Sequence, residues 1–175
     1  MMAIDKHLTG VERHFQRDEI IVSKTDRQGK ILYGNDIFIK MSGFTEEELL
    51  GKPHSIIRHP HMPRAVFKLL WDTIETGDEI FAYVLNKAKN GDHYWVFAHV
   101  TPNYDSSGTI NGYHSNRRVP RPEAVAKVQP LYQALLAEEN RHADPKAGLA
   151  ASFKMTLDAV RGLGFDAYDR FVLSL

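Results

Sequence analysis

The residues best suited to ligand chemistry lie in one segment, from Gly51 to Pro63. Its thirteen residues include three prolines, three histidines and two basic side chains. Each proline removes a backbone donor and disfavours helix at the residue before it, so the segment is predicted to be stiff and irregular. It presents Arg58, His59 and His61, and the planar guanidinium of Arg58 suits a phosphate or a carbonyl-rich ring. The alternative is a solvated connection between helices with incidental histidines.

The composition of the 175-residue chain excludes several classes of function. There are 22 basic (Lys, Arg) and 22 acidic residues, so net charge gives no reason to expect nucleic acid as a partner. The chain has no cysteine, which excludes thiol catalysis, disulfides and thiolate metal sites. No apolar run is long enough to span a membrane, and the N-terminus has no apolar signal core, so a cytoplasmic location is expected. No nucleophile–base set or Gly-rich phosphate loop is present, so the protein is not expected to be an enzyme.

The order of elements predicts an α+β domain over residues 19–120. A hairpin of two short strands comes first, followed by short helices and an amphipathic helix from Arg64 to Thr76. Three more strands follow as an antiparallel meander, with an Asn-Gly turn after Lys89. These elements predict one five-stranded antiparallel sheet with helices on one face.

Helical segments are predicted on both sides of this domain. Residues 1–18 form a predicted N-terminal helix, because the apolar residues Ile4, Leu8, Val11 and Phe15 recur at helical spacing. Residues 121–175 are predicted to be a helical extension, in which Pro130 should kink or interrupt the first helix. These amphipathic helices must pack on the sheet domain, on each other or on a partner chain. A homodimer through them is expected, and folding back onto the same sheet is the competing outcome.

Several motifs resemble those of PAS domains. They are the stretch Asp26–Asn35, the stretch Gly43–Gly51 and the turn Lys89–Asp92. More narrowly, the PAS sensor of bacterial aerotaxis receptors is closely similar at Gly51–His54, Arg58–Pro63, Trp71 and Lys89–Val96. The resemblance implies a PAS fold and a non-covalently bound FAD. It also implies that the flavin state is reported to a chemotaxis or other signalling partner.

The resemblance implies flavin-binding roles for six positions, which are Asn35, Arg58, His59, His61, Trp71 and Asn86. FAD is expected rather than FMN, because Arg58 and His59 supply more charge than one phosphate requires. The family usually has aspartate where this chain has His61, and that difference could alter the flavin potential. Structural roles compete with these assignments: Trp71 lies on an apolar helix stripe, Asn35 can cap a helix and Asn86 can satisfy a strand end.

Other cofactors remain open at this point. Blue-light PAS sensors form a flavin–cysteine adduct, which a chain without cysteine cannot make. Haem requires an axial ligand such as histidine, and His59 or His61 could supply one. A metal site is less well supported, because this His-x-His pair has no evident third ligand. The last alternative is a cofactor-free PAS module for interaction or dimerisation.

Overall fold

The computed structural model describes residues 7–175, which contain one five-stranded antiparallel sheet. The strands are β1 (Ile21–Asp26), β2 (Ile31–Gly34), β3 (Ile80–Lys87), β4 (His93–Tyr104) and β5 (Ile110–Arg118). Their order across the sheet is β2-β1-β5-β4-β3, so β2 and β3 are the edge strands. The predicted hairpin, meander and sheet are therefore confirmed.

Tight turns set the register of the two hairpins. Between β1 and β2, a carboxylate oxygen of Asp26 accepts backbone hydrogen bonds from Gln28 and Lys30. Gly29 in this turn has φ of 77°, a conformation that favours glycine. Between β3 and β4, Gly91 of the Asn-Gly turn has φ of 94° for the same reason.

In residues 7–175, six α-helices and one short 3₁₀ segment accompany the sheet. They are α1 (Asp36–Ser42), α2 (Glu46–Leu49), the 3₁₀ segment (His54–Ile57), α3 (Arg64–Ile74), α4 (Pro122–Asn140), α5 (Pro145–Gly162) and α6 (Tyr168–Ser174). Asn35 caps α1 by accepting a hydrogen bond from the backbone of Phe38. Thr45 and Glu48 form the predicted capping box of α2.

The alternation of side chains gives the sheet two different faces. The inner face includes Val84 and Ala98, and α1 and α3 pack over it. The outer face includes Trp95, whose ring stacks on Tyr132 of α4 with centroids 6.3 Å apart. The Tyr132 hydroxyl also donates to the backbone carbonyl of Tyr83 at 2.7 Å. Helices therefore lie on both sides of the sheet: α1–α3 on the inner face and α4 on the outer one.

The predicted N-terminal helix is wrong for residues 7–18, which contain no helical turn. This segment runs along the start of β4 instead, where Glu12 pairs with His93 in a parallel bridge. The Asp92 carboxylate anchors it by accepting from Thr9 at 2.7 Å and from Arg13 at 2.9 Å. Of the predicted stripe, Phe15 is buried and Val11 is exposed, while Ile4 lies outside the described residues.

The C-terminal helices fold back onto the same chain. α5 packs on α3 and α4, and α6 packs against the edge strand β3. α4 runs through Pro130 as one helix, where the sequence predicted a kink or an interruption. This intramolecular packing agrees with the folding back that was the competing expectation, and the homodimer stays a prediction. None of the helices in residues 7–175 is long and apolar enough to cross a membrane.

A buried carboxylate joins three of these helices. The Glu139 side chain in α4 is 2% exposed and accepts from Arg64 Nε at 2.9 Å. It also accepts from the backbone of Ala65 at 3.0 Å and from the Ser152 hydroxyl of α5 at 2.9 Å. Because Pro63 makes no side-chain cap, Glu139 supplies from another helix the acceptor that the start of α3 needs.

Candidate functional site

A cavity of about 340 Å³ lies between the inner face of the sheet and the stretch from the 3₁₀ segment to α3. This volume is within the range of about 300–1,000 Å³ that is usual for small-molecule sites. Its apolar walls come from α3 and from the inward positions of β3 and β4. The side chains concerned are Phe67, Leu70, Trp71, Ile74, Val84, Ala98 and Val100.

A buried guanidinium forms part of the opposite wall. Arg117 occupies an inward position of β5 and is 3% exposed. Its Nη2 donates to Ser23 Oγ at 2.6 Å and to His54 Nε2 at 2.7 Å. The guanidinium carbon of Arg117 lies 5.3 Å from the centroid of the Phe38 ring. No carboxylate of the described chain pairs with this guanidinium. A cation buried without a counter-ion favours a ligand that is acceptor-rich or becomes negatively charged.

Histidine 54 is held neutral beside this cation. Burial, followed by the charges of Arg117 and Arg58, lowers the pKa of His54 to about 3. Because Arg117 can only donate, His54 accepts through Nε2 and carries its proton on Nδ1. Burial lowers the pKa of Arg117 itself to about 10, so the guanidinium is still charged at neutral pH. The cavity wall therefore carries a positive charge that no protonated histidine shares.

Three residues of the cavity wall have buried donors without partners. Within residues 7–175 these are Arg58 Nε, Asn86 Nδ2 and Arg117 Nη1, and the hydroxyl of Tyr94 is also unpaired. Leaving a buried donor unpaired costs roughly 1–3 kcal/mol, and such groups commonly mark a ligand site. The arrangement is an apolar slot whose polar groups are mainly donors, and it suits a flat ligand with acceptors along one edge.

Trp71 forms a side wall of this slot. Its ring meets Tyr113 edge-on, with centroids 5.4 Å apart. A β-carbon at position 29 would lie only 3.0 Å from the indole, so Gly29 is required for close approach as well as for its turn. Trp71 is both part of the packed helix and a lining residue, which reconciles the two roles predicted for it.

The six predicted site residues are not all brought together. Arg58, Trp71 and Asn86 line the cavity, and the backbones of Arg58 and Asn86 form an isolated β-bridge. Asn35 lies elsewhere: its amide accepts from the backbone of Val22 and Phe38 and donates to the carbonyl of Ile20. The side chain of Asn35 thus acts as a structural cap and does not line the cavity.

His59 and His61 also lie outside the main cavity. His59 is buried beside a second cleft, and its Nδ1 accepts from the backbone of His61 at 3.0 Å. Burial, with the nearby His61, His93 and Lys87, lowers the pKa of His59 to about 4. His59 is therefore neutral at pH 7 and does not add the positive charge that the sequence interpretation gave it. His61 is exposed and lines neither space.

Two residues of the wall were not identified as site residues from the sequence. His54 belongs to the Gly51–Pro63 segment, and only the fold brings it to Ser23 and Arg117. The sequence did contain a signal for Arg117, because this arginine alternates with Tyr113 and Ser115 at the inward positions of one strand.

The positions of the histidines also bear on metals and haem. No group of three or more His, Asp or Glu side chains in residues 7–175 is arranged to hold a metal ion. His59 and His61, considered above as haem ligands, do not line the cavity, and Nε2 of His54 is taken by Arg117 and Ser23. The residues that line this cavity fit a flavin ring better than a haem.

Comparisons with known sequences agree with the fold. Residues 31–116 match the family described as the PAS fold. The chain is 45% identical over 120 residues to the aerotaxis receptor of Escherichia coli strain K12, a match that covers 69% of this chain and 24% of the receptor. Phototropin-1A of Oryza sativa subsp. japonica is 24% identical over 102 residues, which is 58% of this chain and 11% of the phototropin. The chain thus spans about a quarter or less of the length of these relatives.

Solved structures show the same architecture. The light-state structure of the blue-light photoreceptor Aureochrome1 LOV matches with a TM-score of 0.54 and 24% identity, over 70% of this chain and 91% of that one. A light-oxygen-voltage domain studied with a flavin analogue matches with a TM-score of 0.55 and 18% identity, over 70% and 87%. The light-state dimer of the fungal photoreceptor Vivid gives 0.52 and 20%, over 61% and 82%. At these identities the likeness shows the fold alone, and it confirms the predicted α+β architecture.

Proposed function

Because residues 31–116 of this chain belong to the PAS family of sensor domains, we propose that the protein is a redox or oxygen sensor that binds a flavin, specifically FAD, non-covalently. The observation that carries this proposal is the donor-lined apolar cavity with the buried cation of Arg117, which pairs with no carboxylate of the described residues, in its wall. The similarity to an aerotaxis receptor supports the sensory role.

The cavity and the flavin ring are complementary in shape and polarity. An isoalloxazine ring is flat and largely apolar, and its pyrimidine edge carries carbonyl oxygens and ring nitrogens that accept hydrogen bonds. The apolar side chains of α3, β3 and β4 suit the two faces of such a ring. The free donors of Asn86 and Arg117 suit its acceptors, and pairing would remove the cost of leaving them unsatisfied.

The residues of the wall also suit a group whose charge changes. A bound flavin supplies reversible one- and two-electron chemistry coupled to proton uptake. Arg117 holds a fixed positive charge beside the cavity, so it favours the state with more negative charge. His54 remains neutral over the physiological range because its pKa is about 3. The hydrogen bonds of Arg117 to β1 and to the 3₁₀ segment give a route by which a charge change reaches the sheet.

The output of this sensor is a signalling partner, in the chemotaxis machinery or in another pathway. We do not assign an enzymatic activity to the chain. The cytoplasmic location expected from the sequence stays a prediction.

The colour of the purified protein tests the cofactor. We expect paired near-ultraviolet and blue absorption bands, and release of FAD on denaturation. A Soret band would replace the flavin proposal with haem. A colourless protein that cannot be reconstituted with flavin would leave a cofactor-free PAS interaction module.

Arg58 provides a test of the site itself. We expect Arg58→Ala to weaken FAD retention by about tenfold or more, because a charge-assisted hydrogen bond contributes roughly 1.5–3 kcal/mol. The Arg58 guanidinium lies 3.8 Å from the centroid of the Phe67 ring, so circular dichroism must show that the variant is folded. Lys52→Ala, an exposed cation of the same segment, is the control and should retain flavin normally. Normal flavin occupancy in folded Arg58→Ala would contradict the role.

The homodimer expected from the sequence also remains a prediction. The helices that motivated it pack within the chain, so a dimer contact would use the surfaces that this packing leaves exposed. We expect light scattering of the full chain to give twice the monomer mass of 19.9 kDa. Monomers at high concentration in both oxidised and reduced protein would contradict the dimer, and the C-terminal helices would then serve only their own domain.

A further inference from the structure

A second cleft, of about 510 Å³, adjoins the proposed flavin cavity. One wall is the segment that leads into α3, and the other is the junction of α4 and α5. The residues that line it are Arg58, His59, Pro60, Met62, Arg64, Leu136, Glu139, Asn140, His142 and Pro145. Half of these residues therefore belong to the C-terminal helices and their junction, which follow the last strand of the sheet.

Arg58 is the residue that the cleft shares with the main cavity. Its guanidinium stacks on Phe67, a lining residue of the cavity, and its Nε is buried without a partner. A ligand that fills the cavity and extends past Arg58 therefore enters the cleft. A phosphate group placed at that point would meet the free donor.

We propose that this cleft holds the adenosine monophosphate half of a flavin dinucleotide, and that the α4–α5 junction forms its outer wall. The inference rests on the proposed flavin function and adds a role for helices outside the sheet domain. It also gives the preference for FAD over FMN a structural basis, because FMN ends at the phosphate that Arg58 would meet.

The charges of the cleft suit the pyrophosphate that joins the two halves of a flavin dinucleotide. Glu139 is neutralised by its ion pair with Arg64, at 2.9 Å, and His59 is a neutral base. Arg58 is then the remaining cation among the residues that line the cleft. Beyond it, Asn140 and His142 provide polar groups at the rim, and Leu136 and Pro145 provide apolar surface for a base.

A bulky substitution at the rim of the cleft tests the binding of one half of the ligand separately from the other. Asn140 is exposed, so Asn140→Trp should fold normally and fill the cleft without entering the main cavity. Gln133→Trp is the matched control, since Gln133 is an exposed residue of the same helix that lines neither space. Flavin is removed from the full chain, and riboflavin, FMN and FAD are each titrated back into wild type and both variants.

We expect wild type to bind FAD more tightly than FMN, and Asn140→Trp to lose about tenfold in FAD affinity. Its affinities for FMN and riboflavin should not change, and Gln133→Trp should match wild type for all three ligands. Equal affinities of wild type for FMN and FAD, or an equal loss for both in Asn140→Trp, would overturn the inference and leave the flavin proposal standing. A wild type that binds none of the three would overturn the proposed function, and this inference with it.

Discussion

Replacing Arg117 by glutamine is expected to lower the midpoint potential of the bound flavin by on the order of 100 mV. The reason is that Arg117 is a charged group buried at the cavity wall, with no carboxylate partner among the described residues. At an effective dielectric constant of about 20, a unit charge about 8 Å from an added electron contributes on the order of 2 kcal/mol. That free energy corresponds to on the order of 100 mV for a one-electron step.

The same substitution should disturb folding much less than it disturbs the potential. Glutamine can still donate to Ser23 or His54, and removal of an unpaired buried charge offsets part of the lost hydrogen bonding. We therefore expect the flavin-free variant to unfold in urea with a free energy within about 1–2 kcal/mol of wild type. A large shift in potential with a small change in stability identifies an electrostatic role for Arg117.

Arg118→Gln is the matched control for this experiment. Arg118 is the next residue of β5 and is exposed, so its charge is screened by solvent. Spectroelectrochemical titration of wild type and both variants at fixed pH and salt gives the comparison. A midpoint potential for Arg117→Gln equal to that of Arg118→Gln would contradict the proposed role of the buried cation.

The strands and their turns could be predicted because their determinants are local. Period-two alternation in β4 and the Asn-Gly turn before it depend on neighbours within a few residues, and both were confirmed. The cap at Asn35 is equally local. Its second predicted role, in binding flavin, came from the resemblance, and in the structure its amide bonds to the backbone of Val22, Phe38 and Ile20 away from the cavity.

The N-terminal segment shows why periodicity can mislead. The apolar residues of that segment recur at helical spacing, yet Thr9 and Arg13 bind Asp92, which lies about 80 residues away in sequence. Backbone bonds to Gly91 and His93 then satisfy the segment as an extended arm. A contact of such long range leaves no trace in a short sequence window, so tertiary structure overrides the local pattern.

The residues of the site also differ in whether the sequence could predict them. Arg58, Trp71 and Asn86 were predicted from the resemblance to aerotaxis receptors, and the structure places all three in the cavity wall. Arg117 and His54 could not be paired from the sequence, because their contact joins positions 63 residues apart. Glu139 is a further example: a carboxylate on an amphipathic helix is normally assigned to the solvated face, and only the packing of α4 on α3 buries it.

The packing role of Glu139 leads to the second large expected effect. Glu139→Gln preserves the size of the side chain but cannot preserve all of its contacts. One side-chain oxygen accepts from Ala65 and Ser152, and the other accepts from Arg64. Glutamine has a single acceptor oxygen, so its amide N–H₂ must face either the Arg64 donor or the donors of Ala65 and Ser152. A donor then opposes a donor in a buried position.

We expect Glu139→Gln to destabilise the full chain by about 2–4 kcal/mol, measured by urea unfolding of the flavin-free protein. Arg64 is partly exposed and can regain water, which keeps the cost from being larger. Local opening near Glu139 should become easier before global unfolding does, so hydrogen exchange should accelerate first in α5 and in the first turn of α3. Because α3 carries Phe67 and Trp71 into the cavity, flavin retention should also fall.

Glu138→Gln separates this buried role from a general effect of removing a carboxylate from α4. Glu138 is the preceding residue and binds only Arg141 and His142, which are close to it in sequence and accessible to solvent. Such surface pairs contribute little, so the control should cost less than about 1 kcal/mol and leave exchange in α3 unchanged. If both variants lose the same free energy, Glu139 is not the link between α3 and the C-terminal helices. If exchange accelerates in α5 but flavin retention is unchanged, these helices are anchored by Glu139 without supporting the cavity.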